Sequence, residues 1–189
     1  YTNEDCGTKK VEAAANAISR INPDVNVNVY PKFISENNIF SIAKDYEILV
    51  DCTDTIATRY LINDISVHLG TPMIYTSIHK FEGQISVFNY QNGPSYRCLF
   101  PEKNSKEIPN CVTTGVLGVL PNTLGMLQAT EVLKIILGIG KVTSGELLIY
   151  NALHLSFNEL EFSKNEEQIR IGAIKGEQLE NSEKQNYEI

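Results

Sequence analysis

The amino-acid sequence predicts a doubly wound α/β fold whose sheet is mainly parallel, with antiparallel strands towards the C-terminal end. Helix-like and strand-like segments alternate as far as residue 75, which is the pattern of helices packed on both faces of a parallel sheet. Two strand-like runs, 48–50 and 73–75, are continuously apolar, as in strands that are covered on both faces. Strand-like segments after residue 84 are separated by turn residues, and such turns suit antiparallel pairing.

The first elements can be assigned one by one along the chain. Residues 10–21 predict a helix, because their apolar residues recur three and four positions apart. Pro23 ends it, since the residue before a proline is pushed out of the α region. Residues 25–29 alternate valine with asparagine, which is typical of a strand. Ser35 suits the N-cap of a short helix that reaches about Lys44.

The middle of the chain continues the alternation and then departs from it. Residues 48–50 predict a buried strand, 56–69 predict a helix that stops at Gly70, and 73–75 predict another buried strand. The β-rich segment 84–90 follows without an intervening helix, which favours an antiparallel neighbour.

The last third of the chain predicts one long helix, two strands and a polar extension. The helix covers 115–137 and is closed by Gly138. The strands are expected at 146–150 and 155–162. From Lys164 onward the apolar periodicity is lost and Glu, Gln, Asn and Lys dominate, so residues 164–189 are predicted to be a linker or tail.

Length and charge restrict the classes of function. A chain of 189 residues has room for one sizeable core. Its net charge of −7 argues against a nucleic-acid-binding protein, which normally carries a basic patch. The longest apolar stretch is interrupted by polar residues, so no membrane span is predicted. The cysteines are widely spaced and form no CxxC pair, which favours free thiols in a reducing cytoplasm.

Five sequence blocks follow one another between residues 49 and 131. They are 49–54 with 59–64 after it, 81–84, 96–101, 115–121 and 127–131. Together, and in this order, they resemble the signature of the ThiF/HesA/MoeB family of ubiquitin-like-protein-activating enzymes, and the resemblance covers residues 1–162. It implies a Rossmann-like fold and an enzyme that uses ATP to adenylate the C-terminal carboxylate of a small ubiquitin-like protein. In the sulfur-carrier branch that partner resembles ThiS or MoaD, in thiamine or molybdopterin cofactor biosynthesis, and the enzymes are typically homodimers.

Asp54 is the first candidate site residue. It follows a buried strand and precedes a helix, and ligands of open α/β sheets collect at the carboxyl ends of the strands. A carboxylate there can hold the Mg²⁺ that bridges ATP phosphates. The alternative is that Asp54 is only the N-cap of the helix that begins near Ile56. The resemblance favours the functional reading of Asp54, whereas Asp51 suits a hydrogen-bonded turn residue.

Lys10 is the second candidate. The segment 7–12 resembles the family's Gly-x-x-Lys segment, which selects Lys10 over Lys9. A lysine beside the β- and γ-phosphates neutralises charge as pyrophosphate leaves. An isolated lysine would otherwise be read as a solvated surface residue.

Three further residues are weaker candidates. Cys111 lies in a polar loop ahead of the long helix, and some family members carry a cysteine here that becomes linked to the sulfur carrier. Arg59 and Asn63 lie four positions apart on one predicted helix, where they serve either the nucleotide or carrier end of the site or plain hydrogen bonding on the helix surface.

No structural zinc is predicted. Cys98 resembles the second cysteine of the family's first zinc CxxC, but Ser95 replaces the first. The second CxxC is missing, because residues 163–173 contain no cysteine. Tetrahedral zinc needs four ligands, usually thiolates or imidazoles, and one cysteine cannot supply them. Cys98 and Cys52 are therefore expected to be small buried apolar residues.

The phosphate-binding part of the site is not present in the sequence. The family begins with a strand, a Gly-rich loop and a helix N-terminus that cradle phosphates, yet no GxGxxG occurs here. We therefore expect residues 1–163 to be a partial adenylating domain without its first βα unit, inactive by itself, and a rhodanese domain to be one possible continuation after Ile189. A catalytically inactive carrier-binding module, or a partner subunit, is the alternative. A Rossmann-type oxidoreductase is disfavoured, because its dinucleotide fingerprint is absent.

Overall fold

The computed structural model describes residues 1–102 and 115–186. These residues fall into two compact units, Tyr1–Ile34 and Ser35–Ile189. The fold of each unit is described separately below.

The unit Tyr1–Ile34 is built around one helix. A short 3-10 turn at Asn3–Asp5 precedes helix α1 (Lys10–Ile21), as the spacing of apolar residues predicted. The strand predicted at 25–29 does not form, and that prediction is wrong for the described chain. An alternating sequence becomes a strand only when a neighbour completes its ladder of hydrogen bonds, and no strand in the described residues pairs with this segment.

The unit Ser35–Ile189 contains a five-stranded sheet in the order β1-β2-β3-β4-β5. The strands are β1 (Leu49–Asp51), β2 (Met73–His79), β3 (Glu82–Phe88), β4 (Glu146–Asn151) and β5 (Ser156–Glu161). β1 and β2 are parallel, and every later pair is antiparallel. The predicted α/β class with C-terminal antiparallel strands is confirmed, although the parallel part is confined to β1 and β2, so the sheet is mixed.

Helices cover both faces of this sheet. The helices of the unit are α2 (Ile39–Ala43), α3 (Ile56–Leu69), α4 (Tyr96–Leu99), α5 (Val119–Leu137) and α6 (Glu166–Asn186). α3 and α5 end where a glycine enters the left-handed region, at Gly70 with φ 69° and at Gly138 with φ 63°. Both ends were predicted from the sequence, whereas α5 begins four residues later than expected.

Two apolar clusters hold the layers together. On one face, Met73, Tyr75 and Phe88 pack with α4 and with partly buried residues of α3. On the other face, Ile85 packs with Leu120 and Leu124 of α5. Gly83 allows this helix to lie close, because a Cβ at Gly83 would stand 2.4 Å from Leu124 Cδ2. Of the described helices, none is both long and apolar enough to cross a membrane.

Residues 164–189 were predicted to be a linker or tail, and the structure corrects that prediction. Helix α6 occupies most of this segment and packs along α3. Its contact face uses Gly172 and Gly176, together with the carboxylate of Glu183, which accepts hydrogen bonds from the backbone N–H groups of Phe40 and Ser41. Sequence periodicity missed the helix, because Leu179 is the one large apolar residue at its described buried positions, and the others hold glycines and a glutamate.

Candidate functional site

A cavity of about 460 Å³ lies where β1 and β2 end and α5 begins. We call it the strand-end cavity. Six of the residues that line it are Cys52, Asp54, Arg59, Thr76, Leu124 and Gln128. Its position is the one at which open α/β sheets bind ligands, because the carboxyl ends of parallel strands leave a crevice there.

Asp54 contributes its carboxylate to the lining of this cavity. The residue is exposed, and no hydrogen bond or ion pair to its carboxylate occurs within residues 1–102 and 115–186. The N-cap of α3 is Thr55, whose side chain accepts a hydrogen bond from the N–H of Thr58 at 3.4 Å. The reading of Asp54 as an N-cap is therefore wrong, and its charge is available to a ligand.

The buried side chain of Asp51 stabilises the end of β1. Asp51 is fully buried, and its Oδ1 accepts hydrogen bonds from the N–H and the hydroxyl of Thr53 at 2.9 and 2.7 Å. Its Oδ2 lies 3.5 Å from Nε of Arg59. Burial raises the pKa of the Asp51 carboxyl, while the Thr53 hydrogen bonds and the Arg59 charge act in the opposite direction.

Arg59 reaches back from α3 to the same loop. Its Nη2 donates to the carbonyl oxygen of Thr53 at 3.1 Å and, at the outer limit for a hydrogen bond, to that of Thr76 at 3.5 Å. The guanidinium carbon lies 5.2 Å from the ring centroid of Tyr75, within the range of a cation–π contact. The structure thus places Arg59 at the cavity and engages it with protein groups, and the binding role predicted for it stays a prediction.

Gln128 connects helix α5 to the end of β1. It lines the strand-end cavity, is 5% exposed, and its Nε2 donates to the carbonyl oxygen of Asp51 at 2.8 Å. The family block 127–131 marked its region, but no residue pattern showed that it reaches the end of β1.

Asn63 does not belong to the strand-end cavity. It is buried one helical turn beyond Arg59, and its amide donates to Oδ1 of Asp64 at 2.9 Å. That carboxylate also accepts two hydrogen bonds from the buried guanidinium of Arg97, at 2.6 and 2.7 Å. Asn63 therefore supports an internal ion pair, and the predicted nucleotide-binding role has no support in the geometry.

Lys10 and Cys111 are the two remaining candidate residues. Lys10 belongs to the unit Tyr1–Ile34, where it is exposed in the first turn of α1. Together with Lys9 and Lys32 it lines a shallow cavity of about 240 Å³. Cys111 falls outside the described residues. The roles predicted for both residues stay predictions.

The predicted absence of structural zinc stays a prediction, and Cys98 is engaged by backbone groups of the protein. Its sulfur accepts hydrogen bonds from the backbone N–H groups of Ser95 and Asn165, each at 3.3 Å. Across residues 1–102 and 115–186, no group of three or more His, Cys, Asp or Glu side chains is placed to hold a metal ion. A single thiol is too few for tetrahedral zinc. Cys52 was expected to be buried, and that is wrong, since it is exposed at the cavity.

The donor set at the strand-end cavity does fit Mg²⁺. This ion is commonly held by one or two carboxylates together with substrate phosphates and water, and it does not need a dedicated protein cage. Asp54 offers one such carboxylate beside an open cavity.

The fold and this cavity define an α/β protein with an open crevice at its strand ends. Residues 1–171 match the ThiF family, and the chain belongs to that family. It is 42% identical over 171 residues to the sulfur carrier protein adenylyltransferase of Thermus thermophilus, covering 87% of this chain and 63% of that protein. It is 40% identical over 166 residues to the SAMP-activating enzyme E1 of Haloferax volcanii, covering 87% and 61%. The chain thus spans less than two thirds of the length of these relatives.

Solved structures support the same fold at much lower sequence identity. Escherichia coli MccB in complex with ATP has a TM-score of 0.69 and 15% identity, covering 87% of this chain and 51% of that chain. MccB with MccA-N7isoASN has a TM-score of 0.72 and 12% identity, covering 87% and 52%. These likenesses show that the chain has a Rossmann-like fold.

Proposed function

We propose that this chain carries part of the ATP site of an enzyme that adenylates the C-terminal carboxylate of a small ubiquitin-like sulfur-carrier protein. Membership of the ThiF family and the names of the adenylyltransferase relatives support the reaction class. The single observation that carries the proposal is the carboxylate of Asp54, which is exposed, unpaired among the described residues and directed to the strand-end cavity. A carboxylate that only capped a helix would instead accept a hydrogen bond from a backbone N–H in the first turn of that helix.

Each proposed site residue has a separate task. The reaction joins a carboxylate oxygen of the carrier to the α-phosphorus of ATP, and pyrophosphate leaves. Asp54 would hold Mg²⁺, which neutralises phosphate charge when it is bound. Lys10 would place a positive charge beside the departing phosphates. Cys111 is the proposed attachment point for the carrier in a later sulfur-transfer step, supported only by its place in the family pattern.

The assembly and the compartment are also proposals. Helix α5 carries an exposed apolar stripe at intervals of seven residues, with Val119, Met126 and Leu133 between 55% and 73% exposed. Such a stripe supports the expected homodimer, since contiguous exposed apolar surface marks association sites. Cys6, Cys52 and Cys98 are free thiols, which suits a reducing cytoplasm.

ATP–pyrophosphate exchange by the complete protein tests the proposed reaction. We expect carrier-dependent exchange in the wild type and its loss in Asp54→Ala and in Lys10→Ala. Retained exchange in either variant would remove that residue from the site. If the wild type binds a carrier protein but catalyses no exchange, the inactive carrier-binding module replaces the enzyme. Mass spectrometry after incubation with ATP and carrier tests Cys111, whose role is rejected if no covalent adduct forms there.

A further inference from the structure

Asp54 lies in the loop between β1 and α3, residues 52–55, and its side chain does not help to fix the position of this loop. That carboxylate makes no hydrogen bond or ion pair within the described parts of the chain. A short loop whose functional side chain is unpaired needs other contacts to keep the side chain in place, because a site works only when its ligating groups are preorganised.

Three buried side chains converge on this loop from different elements. Asp51 at the end of β1 binds the N–H and hydroxyl of Thr53. Arg59 in α3 binds the carbonyl oxygen of Thr53. Gln128 in α5 binds the carbonyl oxygen of Asp51. Hydrogen bonds therefore hold Thr53, the residue before Asp54, at its N–H, its carbonyl oxygen and its side chain. The contact from Gln128 also connects β1, which precedes the loop, to helix α5.

We propose that Arg59, acting with Asp51 and Gln128, is a positioning residue that fixes the loop so that the Asp54 carboxylate faces the strand-end cavity. That Asp54 binds Mg²⁺ in this position rests on the proposed function. The sequence left open whether Arg59 serves the nucleotide or carrier end of the site or only forms hydrogen bonds on the helix surface, and the positioning role is a third possibility. Arg59 acts through the loop and through Asp54.

The electrostatics of the pair make it sensitive to conservative change. Asp51 Oδ2 and Arg59 Nε face each other at 3.5 Å, yet both atoms are buried without a hydrogen bond. The pair is therefore held by charge and by the Nη2 contact to Thr53, without a bidentate fork. A lysine at position 59 keeps the charge but loses the planar group that reaches a carbonyl oxygen and an aromatic face together. An asparagine at position 51 keeps the shape and leaves the arginine charge buried alone.

Two measurements on the complete protein test the inference with Arg59→Lys and Asp51→Asn. Arg170→Lys is the matched control, because Arg170 is exposed on α6. The first is hydrogen exchange of the backbone amides of the loop peptide 50–58, which needs neither ATP nor activity. We expect exchange about tenfold faster in both site variants, the effect of losing one charge-assisted hydrogen bond. Exchange in the peptide 82–88, which forms β3, should not change, and circular dichroism and thermal melting confirm that the variants fold.

The second measurement is the Mg²⁺ concentration that gives half-maximal ATP–pyrophosphate exchange. Loss of a group that orients a metal ligand typically costs about 10–100-fold in metal affinity, so we expect at least a tenfold higher Mg²⁺ requirement in Arg59→Lys, while the KM for ATP at saturating Mg²⁺ changes little. A raised KM for ATP with an unchanged Mg²⁺ requirement would make Arg59 a direct ligand and overturn the proposal.

The two readouts separate this proposal from the proposed function. Unchanged exchange of the loop amides in both site variants overturns the positioning role, whatever the activity. A wild type without ATP–pyrophosphate exchange overturns the proposed function, and the loop amides then still decide whether Arg59 and Asp51 hold the loop. Faster loop exchange with an unaltered Mg²⁺ requirement would show that the pair holds the loop but does not place a metal ligand, which also overturns the proposal.

Discussion

Two glycines one turn apart on α6 lead to opposite predictions for the same substitution. A Cβ at Gly176 would lie 2.4 Å from the carbonyl oxygen of Asp64 and 2.4 Å from Cβ of His68. Neither atom can move without moving the α3 backbone. A Cβ at Gly172 would meet its nearest neighbours at 3.5 Å, which is ordinary van der Waals contact.

The expected magnitudes follow from these distances. Gly172→Ala should raise the free energy of unfolding by about 0.5–1 kcal/mol, because alanine costs less backbone entropy than glycine within a helix. Gly176→Ala gains the same term, but overpacking against a backbone costs about 1–3 kcal/mol. The net result should be a destabilisation of roughly 0.5–2 kcal/mol.

Urea denaturation of the two variants and the wild type, followed by circular dichroism, measures these differences. The m-values should stay unchanged, so that a shift of the midpoint reports stability. If both variants are more stable than the wild type, then α6 does not pack on α3 through Gly176. In that case residues 164–189 would be closer to the polar tail that their composition predicted.

Three other results are expected. Arg97→Met should destabilise the protein by about 3–5 kcal/mol in thermal or urea unfolding, because it leaves the buried Asp64 carboxylate without its cation; a loss under 1 kcal/mol would contradict this. Hydrogen bonds from Lys175 and Arg97 hold the pKa of the Glu102 carboxyl below its usual range, so Glu102 stabilises the fold fully above its unfolded-state pKa and loses that effect as pH falls through its lowered folded-state pKa. The stability deficit of Glu102→Gln at pH 7 should therefore begin to shrink as pH falls past about 4.3, the ordinary pKa of a glutamate, and vanish only below the lowered folded-state pKa; a deficit independent of pH would refute the ion-pair account. Elemental analysis of the purified protein should find less than one zinc per chain, whereas stoichiometric zinc removed by Cys98→Ser would show that a site exists.

The sequence predicted those elements whose signals are local. Helix 56–69 has apolar periodicity and a terminal glycine, and both of its bounds match α3. The apolar runs at 48–50 and 73–75 became β1 and the start of β2, and the turn-separated segments became antiparallel strands. Local chemistry decides such features, so a single sequence suffices to find them.

Other features depend on contacts between distant residues, and these the sequence did not reveal. The strand predicted at 25–29 lacked a partner, which periodicity cannot detect. α6 packs through Gly172, Gly176 and Glu183, residue types that are usually exposed or helix-breaking. Only their fit against α3 and α2 gives them buried roles.

The residues of the candidate site also differ in whether local sequence or distant contacts decide their roles. Asp54 was found because it follows a buried strand within a family block, and the structure removed its alternative role as an N-cap. Arg59 and Asn63 looked equivalent, since they are one helical turn apart. Arg59 reaches the loop at the strand end, whereas Asn63 donates to Asp64, and that distinction depends on which neighbour lies within hydrogen-bond distance.

We propose above that the carboxylate of Asp54, which has no partner within the described residues, holds the metal of an adenylation site. The most direct test is Mg²⁺-dependent ATP–pyrophosphate exchange by the complete protein, comparing Asp54→Asn with Asp45→Asn, which removes an equally exposed aspartate away from the cavity. Removal of a metal-binding carboxylate should lower exchange at least about a hundredfold in Asp54→Asn, and Asp45→Asn should match the wild type. Equal exchange in the two variants would contradict the account.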